Sequence, residues 1–192
     1  MKSWKRFFGL GFLFLVFAST GFGEDFDLQY FLTRTSSKGG ELSKKEGLEL
    51  LNRIEGVIEQ SQRIRKDLIQ AIQEGEIKIE YQEGKFWMSR LEEDRGSIET
   101  AIQQLKLLRE KPNLLVASIK LYKSLRDLSS NFNSYNNISL FSAFVGDLAP
   151  EMALWADPVF YKLHLLSLAA LRDKETESAQ KEKKPVPKEK KP

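Results

Sequence analysis

The sequence predicts an all-α fold: an antiparallel helical bundle of about four main helices between residues 43 and 173, with a disordered C-terminal tail. Three observations carry this expectation. Apolar residues recur at three-and-four spacing through most of the chain. Short breaks bearing proline, serine or asparagine separate the periodic stretches. Charged residues make up 30% of the sequence and hydrophobic residues 41%, a balance suited to helices with one buried face.

The first segment has a different character. Lys2, Lys5 and Arg6 precede the apolar run Phe7–Ala18, and the small residues Gly21 and Gly23 follow. A basic start, a short apolar middle and small residues near a cut are the layout of a secretory signal. A signal peptide over 1–23 is expected, cleaved between Gly23 and Glu24. Retention as an anchor is the alternative, because the apolar stretch lies at the low edge of what spans a bilayer. Both readings place residue 24 onward outside the cytoplasmic membrane, in the periplasm or secreted. The whole chain carries 30 Lys and Arg against 27 Asp and Glu, and the three basic residues of the leader account for the excess. With no net charge beyond it, nucleic acid is not an expected partner. Cysteine is absent, which excludes disulfides, thiolate metal sites and a cysteine nucleophile.

Residues 24–42 hold a small apolar cluster and then a Ser/Gly-rich stretch, read as a short helix or arm followed by a loop. Ser43-Lys44-Lys45-Glu46 is a capping box, in which serine and glutamate satisfy each other's backbone amides. A long helix follows. Leu50, Ile54, Val57, Ser61, Ile64, Leu68 and Ala71 form its stripe, which Leu51, Ile58 and Ile72 widen beyond a two-stranded coiled-coil seam.

Residues 76–88 read two ways. Ile77, Ile79 and Tyr81 alternate with charged residues, as in one arm of a small β-hairpin, while Ile72, Ile79 and Phe86 keep a seven-residue period that fits a helix. From about residue 88 the helical pattern is clear, with Leu91, Ile98, Ala101, Leu105 and Leu108 on one face. Pro112 ends that helix and is expected to open the next at its first position. Leu115, Ile119 and Tyr122 with Leu121, Leu125 and Leu128 supply the next buried side. Residues 129–137 read as a polar loop carrying Phe132 and Tyr135, because Ser and Asn compete with a helix for its backbone groups. Residues 138–145 read as a short helix. Pro150-Glu151 and Asp157-Pro158 both resemble helix starts, giving expected helices over 150–156 and 158–173. The second is apolar on most sides. The tail, 174–192, is expected to be disordered, and from Lys181 onward it carries six lysines against two glutamates.

Catalytic constellations are weak. His164 is the only histidine, so a histidine-rich metal site is excluded, and no serine lies in a nucleophile-elbow pattern. It is expected at the edge of the last helix. Glu92, Asp94 and Glu99 supply carboxylates for a hydrolase only if they share a cleft. Asn137-Ile138-Ser139 matches a glycosylation sequon. No cofactor or metal is expected. The reading is a non-enzymatic helical interaction or scaffold module of the cell envelope. Its contact residues are Phe132, Tyr135, Phe160, Leu163 and Leu166. The tail lysines Lys183, Lys184, Lys188, Lys190 and Lys191 add weak electrostatic attachment. Its partner would be an envelope protein or an anionic envelope surface, with peripheral membrane contact as a further option. The alternative is a small-ligand or lipid carrier with a pocket lined by Phe132, Phe141, Phe144, Trp155 and Phe160.

Overall fold

The protein is all-α. The computed structural model describes residues 26–36 and 41–182, with side chains described in the last helix as far as Lys174. The expected signal segment and the five tail lysines from Lys183 lie outside the described residues. Among the described residues no strand forms. The helices are α1 (Leu28–Ser36), α2 (Lys44–Gln73), α3 (Tyr81–Glu110), α4 (Leu115–Asn136), α5 (Ser139–Val145), α6 (Leu148–Leu154) and α7 (Leu166–Glu182). A π-helical segment, Trp155–Leu165, joins α6 to α7.

The capping box forms as expected. Ser43 Oγ accepts from the Glu46 amide at 3.2 Å, and Glu46 accepts from the Ser43 amide at 2.7 Å. The expected α2 stripe is buried from Leu50 to Ala71, and Ser61 within it donates back to the Val57 carbonyl. At the end of α2, Gly75 takes a positive φ of 73°, which favours glycine. Ile77 is buried just beyond it, and its amide donates to the Ala71 carbonyl at 3.1 Å. No hairpin follows. Residues 78–80 lack regular structure, and residues 81–88 are the first turns of α3. Tyr81 and Phe86 stand 74% and 55% exposed, so two short strands here would have nothing to pack on.

Cross-helix pairs run in opposite chain directions. Arg65 meets the Leu91 carbonyl and Glu92, while Glu55 meets Arg109. Asp94 meets Asn131 and Tyr135, and Ser129 meets Ala149 while Ser118 meets His164. Between α3 and α4, Pro112 sits in a turn closed by the Leu114 amide on the Lys111 carbonyl, and α4 begins only at Leu115. The fixed φ of proline serves that turn rather than the first helical position.

Three other expectations are corrected. The stretch 129–136 is helix, not loop. Leu128, Asn131, Phe132 and Tyr135 continue the buried face at three-and-four spacing. Burial along that face outweighs the local preference of Ser and Asn, and Ser134 Oγ turns back onto the Ser130 carbonyl. Asp157 and Pro158 do not start a helix: the chain runs through them in the π register, where the Leu166 amide reaches five residues back to Tyr161. Trp155, Ala156, Val159, Phe160 and Leu163 are all buried there, and packing against α1 and α4 holds the chain helical across the proline. Finally, the last helix continues to Glu182, so residues 174–182 are not the start of a disordered tail. Glu, Ala, Gln and Lys are good helix formers, enough to extend an existing helix.

Candidate functional site

The residues expected to contact a partner separate into two groups. Phe132, Tyr135 and Phe160 are at most 1% exposed, and Leu163 is 7% exposed. As folded, these four are core. Leu166 is 46% exposed. The five aromatics expected to line a carrier pocket are packed into the core or against it. Tyr135 meets Trp87, Phe132 and Phe141 at centroid distances of 5.8, 5.5 and 6.2 Å, and Phe31 closes on Trp155 at 5.8 Å.

Nor do the three candidate acids share a cleft. Glu92 pairs with Arg65 and Arg95, and Glu99 with Arg95. Asp94 is fully buried, accepting from Asn131 Nδ2 at 2.7 Å and from the Tyr135 hydroxyl at 2.6 Å. Burial raises the Asp94 carboxyl above its ordinary range, against the pull of its two donors and of Arg90 and Arg65. Burial and the neighbouring Asp94 charge push the Tyr135 phenol far above its usual value. These residues form a buried polar pin between α3 and α4. Among the described residues no group of three or more His, Cys, Asp or Glu could hold a metal ion.

A second polar seam joins α4 to the π segment. Positions 118, 122 and 126 of α4 stand one turn apart and meet His164 and Asp157. Tyr122 donates to Asp157 at 2.7 Å, Arg126 pairs with the same carboxylate, and the Tyr122 and Tyr161 rings lie 5.4 Å apart. Burial pushes the Asp157 carboxyl up, but the bonds from Tyr122 and Arg126 outweigh it and hold it below its ordinary value.

The most site-like feature lies at the end of this seam. A groove of about 270 Å³ opens between the N-terminal turns of α2, the C-terminal end of α3 and the last helix. Leu48, Leu51, Leu108, Leu163, Leu168 and Leu171 make it apolar, and Lys44, Glu41 and Arg109 stand among its lining residues. Leu48 and Leu171 remain 49% and 38% exposed. Arg109 is already engaged, donating to Glu55 and to Asn52 Oδ1, and its hydrogen bond holds the Glu55 carboxyl below its usual range. His164 also lines the groove. Its ring stacks on Phe160 at 4.9 Å, and Nε2 lies 3.0 Å from Ser118 Oγ. Burial lowers its pKa, which keeps it neutral at pH 7.

A second hollow, about 700 Å³, lies between α1, α2 and the α6–π junction, with Asp27, Gln29, Asn52, Arg53, Gln60 and Glu151 among its polar lining residues. The groove was not legible as a site. Its leucines, Leu48 included, belong to ordinary helical patterns, and none of them marks a groove in the sequence.

Among the described residues no helix is long and apolar enough to cross a membrane. No known protein family matches the chain, and neither a curated protein nor a solved structure does.

Proposed function

We propose that the chain is an exported, non-enzymatic helical binding module of the cell envelope. In this reading an antiparallel bundle of four main helices is the scaffold, and the groove between α2, α3 and the last helix is the working surface. The observation that carries it is the uncovered apolar lining: Leu48 and Leu171 stay open to solvent beside Leu51, Leu108 and Leu168. The apolar C-terminal helix thereby contributes one wall of the contact surface, through Leu163, Leu168 and Leu171 rather than Phe160. Binding is favoured over hydrolysis because Glu92, Asp94 and Glu99 stand in separate surroundings, two of them in ion pairs and one in the core. The lysines from Lys183 onward would add weak attachment to an anionic surface, each contributing about 1 kcal/mol close to such a surface.

A photo-crosslinking residue placed at Leu48 or Leu171, in the native host, tests the surface. Adducts of one defined mass are expected from both positions and not from Leu140, which is exposed on α5. Equal labelling from all three, or none, would sink the reading. Export is tested by the mass of the chain in the envelope fraction, which should begin at Glu24. Full-length chain confined to the cytoplasm overturns that part. A small-ligand carrier is the second reading, favoured by the place of His164 among the leucines that line the groove.

A further inference from the structure

The seam between α4 and the π segment determines what the groove can recognise. Ser118 lies inside α4, and its hydroxyl is 3.1 Å from the Leu114 carbonyl one turn back. A helical serine gives its single proton to that carbonyl. Its oxygen is then left with lone pairs toward Nε2 of His164, 3.0 Å away. With the Ser118 proton on the Leu114 carbonyl, Nε2 is the ring nitrogen that donates to Ser118 Oγ, and in a neutral ring Nδ1 is then a bare acceptor. Nδ1 makes no hydrogen bond to the described residues, and it is not among the side-chain atoms sealed from solvent. His164 lines the apolar groove, and an acceptor facing such a lining loses its hydration when an apolar group enters, unless that group brings a donor.

The size of the groove limits the occupant. Its volume of about 270 Å³ corresponds to roughly nine water-sized groups at about 30 Å³ each. Gly47 bears on the same space: it lines the groove, and a Cβ built on it meets nothing within 4 Å. Glycine in a helix interior is poorer than alanine, so the α2 helix forgoes stability at a position where a side chain would enter open space beside the groove.

We propose that the groove holds a small single-chain amphiphile, its hydrocarbon packed on the leucines and its hydroxyl-type head donating a hydrogen bond to Nδ1 of His164. This rests on the groove being the binding surface. Arg109 is held by Glu55 and Asn52, and the other charges of the lining, Lys44 and Glu41, are of opposite sign, so a neutral donor head suits the site better than a carboxylate.

His164 is the only histidine, so a full chain labelled with ring-¹⁵N histidine reports on this one ring. The probes are 1-octanol and heptyl methyl ether, which match in number of non-hydrogen atoms and differ in the donor. The unliganded ring should show a protonated Nε2 and a bare Nδ1. Octanol should shift the Nδ1 resonance in the direction of hydrogen bonding and bind about fivefold more tightly than the ether, the size of one net hydrogen bond. His164→Phe should erase that preference and keep the ether's affinity. Gly47→Leu should weaken both probes at least tenfold with no loss of thermal stability. A proton found on Nδ1 overturns the proposal, as does equal binding of the two probes without a shift at Nδ1; in both cases the groove survives as an apolar site. If neither probe binds up to its solubility, or Gly47→Leu leaves binding unchanged, the groove reading falls as well.

Discussion

Replacing Tyr135 with phenylalanine isolates one bond in the buried pin between α3 and α4. The hydroxyl donates to Asp94 at 2.6 Å, where the acid is 0% and the tyrosine 1% exposed. The ring itself keeps its edge contacts with Trp87, Phe132 and Phe141. When Asp94 is ionised the lost interaction is a charge-assisted hydrogen bond to a buried acceptor, contributing about 1.5–3 kcal/mol. Relief from burying a hydroxyl offsets about 1 kcal/mol of that. The expected net loss is therefore about 0.5–2 kcal/mol, a fall of about 0.25–1 M in the urea midpoint for a slope near 2 kcal/mol/M.

The pH dependence of that loss adds a second check. Burial raises the folded-state pKa of Asp94 above 3.8, so the native chain binds more protons than the unfolded chain between those two values. Stability consequently declines as pH rises through that window, and removing a donor steepens the decline. The Tyr135→Phe loss should be largest at pH 7 and shrink where Asp94 is protonated, because a neutral hydrogen bond contributes only about 0.5–1.5 kcal/mol. Urea unfolding at pH 7 and pH 4 measures both effects. A midpoint shift below about 0.2 M at pH 7, or one unchanged between the two pH values, would refute an ionised, doubly bonded Asp94.

Other expected outcomes follow from single contacts. Ser43→Ala removes half of the capping box and should destabilise by about 1 kcal/mol in thermal or urea unfolding; no effect would mean that the first turn of α2 is held by packing alone. The hydrogen bond from Tyr30, helped by those from Ser43 and by Arg34, holds the Glu46 carboxyl down at about 2 against a reference of 4.5. Its stabilisation is present above pH 4.5 and is lost as pH falls through about 2, so Glu46→Gln should flatten the acid limb of the stability curve over that window. Asp157→Ala loses the Tyr122 bond, about 1 kcal/mol, together with a solvent-screened ion pair to Arg126 that adds little. Arg126→Ala should cost less than Asp157→Ala, because Tyr122 keeps its acceptor; the reverse order in urea unfolding would contradict this seam.

Much of the scaffold was legible because it depends on local pattern. The α2 stripe from Leu50 to Ala71, the α3 face from Leu91 to Leu108 and the Ser43–Glu46 box are written at helical spacing, and each forms with those residues buried or bonded. Where local chemistry and long-range packing pointed in different directions, packing decided. Asn131, Phe132 and Tyr135 sit among turn-forming residues, yet Asp94 across the core gives two of them a bond worth staying helical for. Asp157 has the neighbours of a helix cap, but Tyr122 and Arg126 take its oxygens, and the chain passes Pro158 in a widened turn. The groove belongs wholly to the tertiary level. Leu48, Leu108 and Leu168 are unremarkable in their own helices, and His164 looks like an edge residue. Only the meeting of three helix ends leaves Leu48 and Leu171 open beside buried leucines and sets His164 among them. Helical periodicity is a property of a few neighbouring residues and can be read from them. A cavity is the space that distant segments fail to fill, and no one segment encodes it.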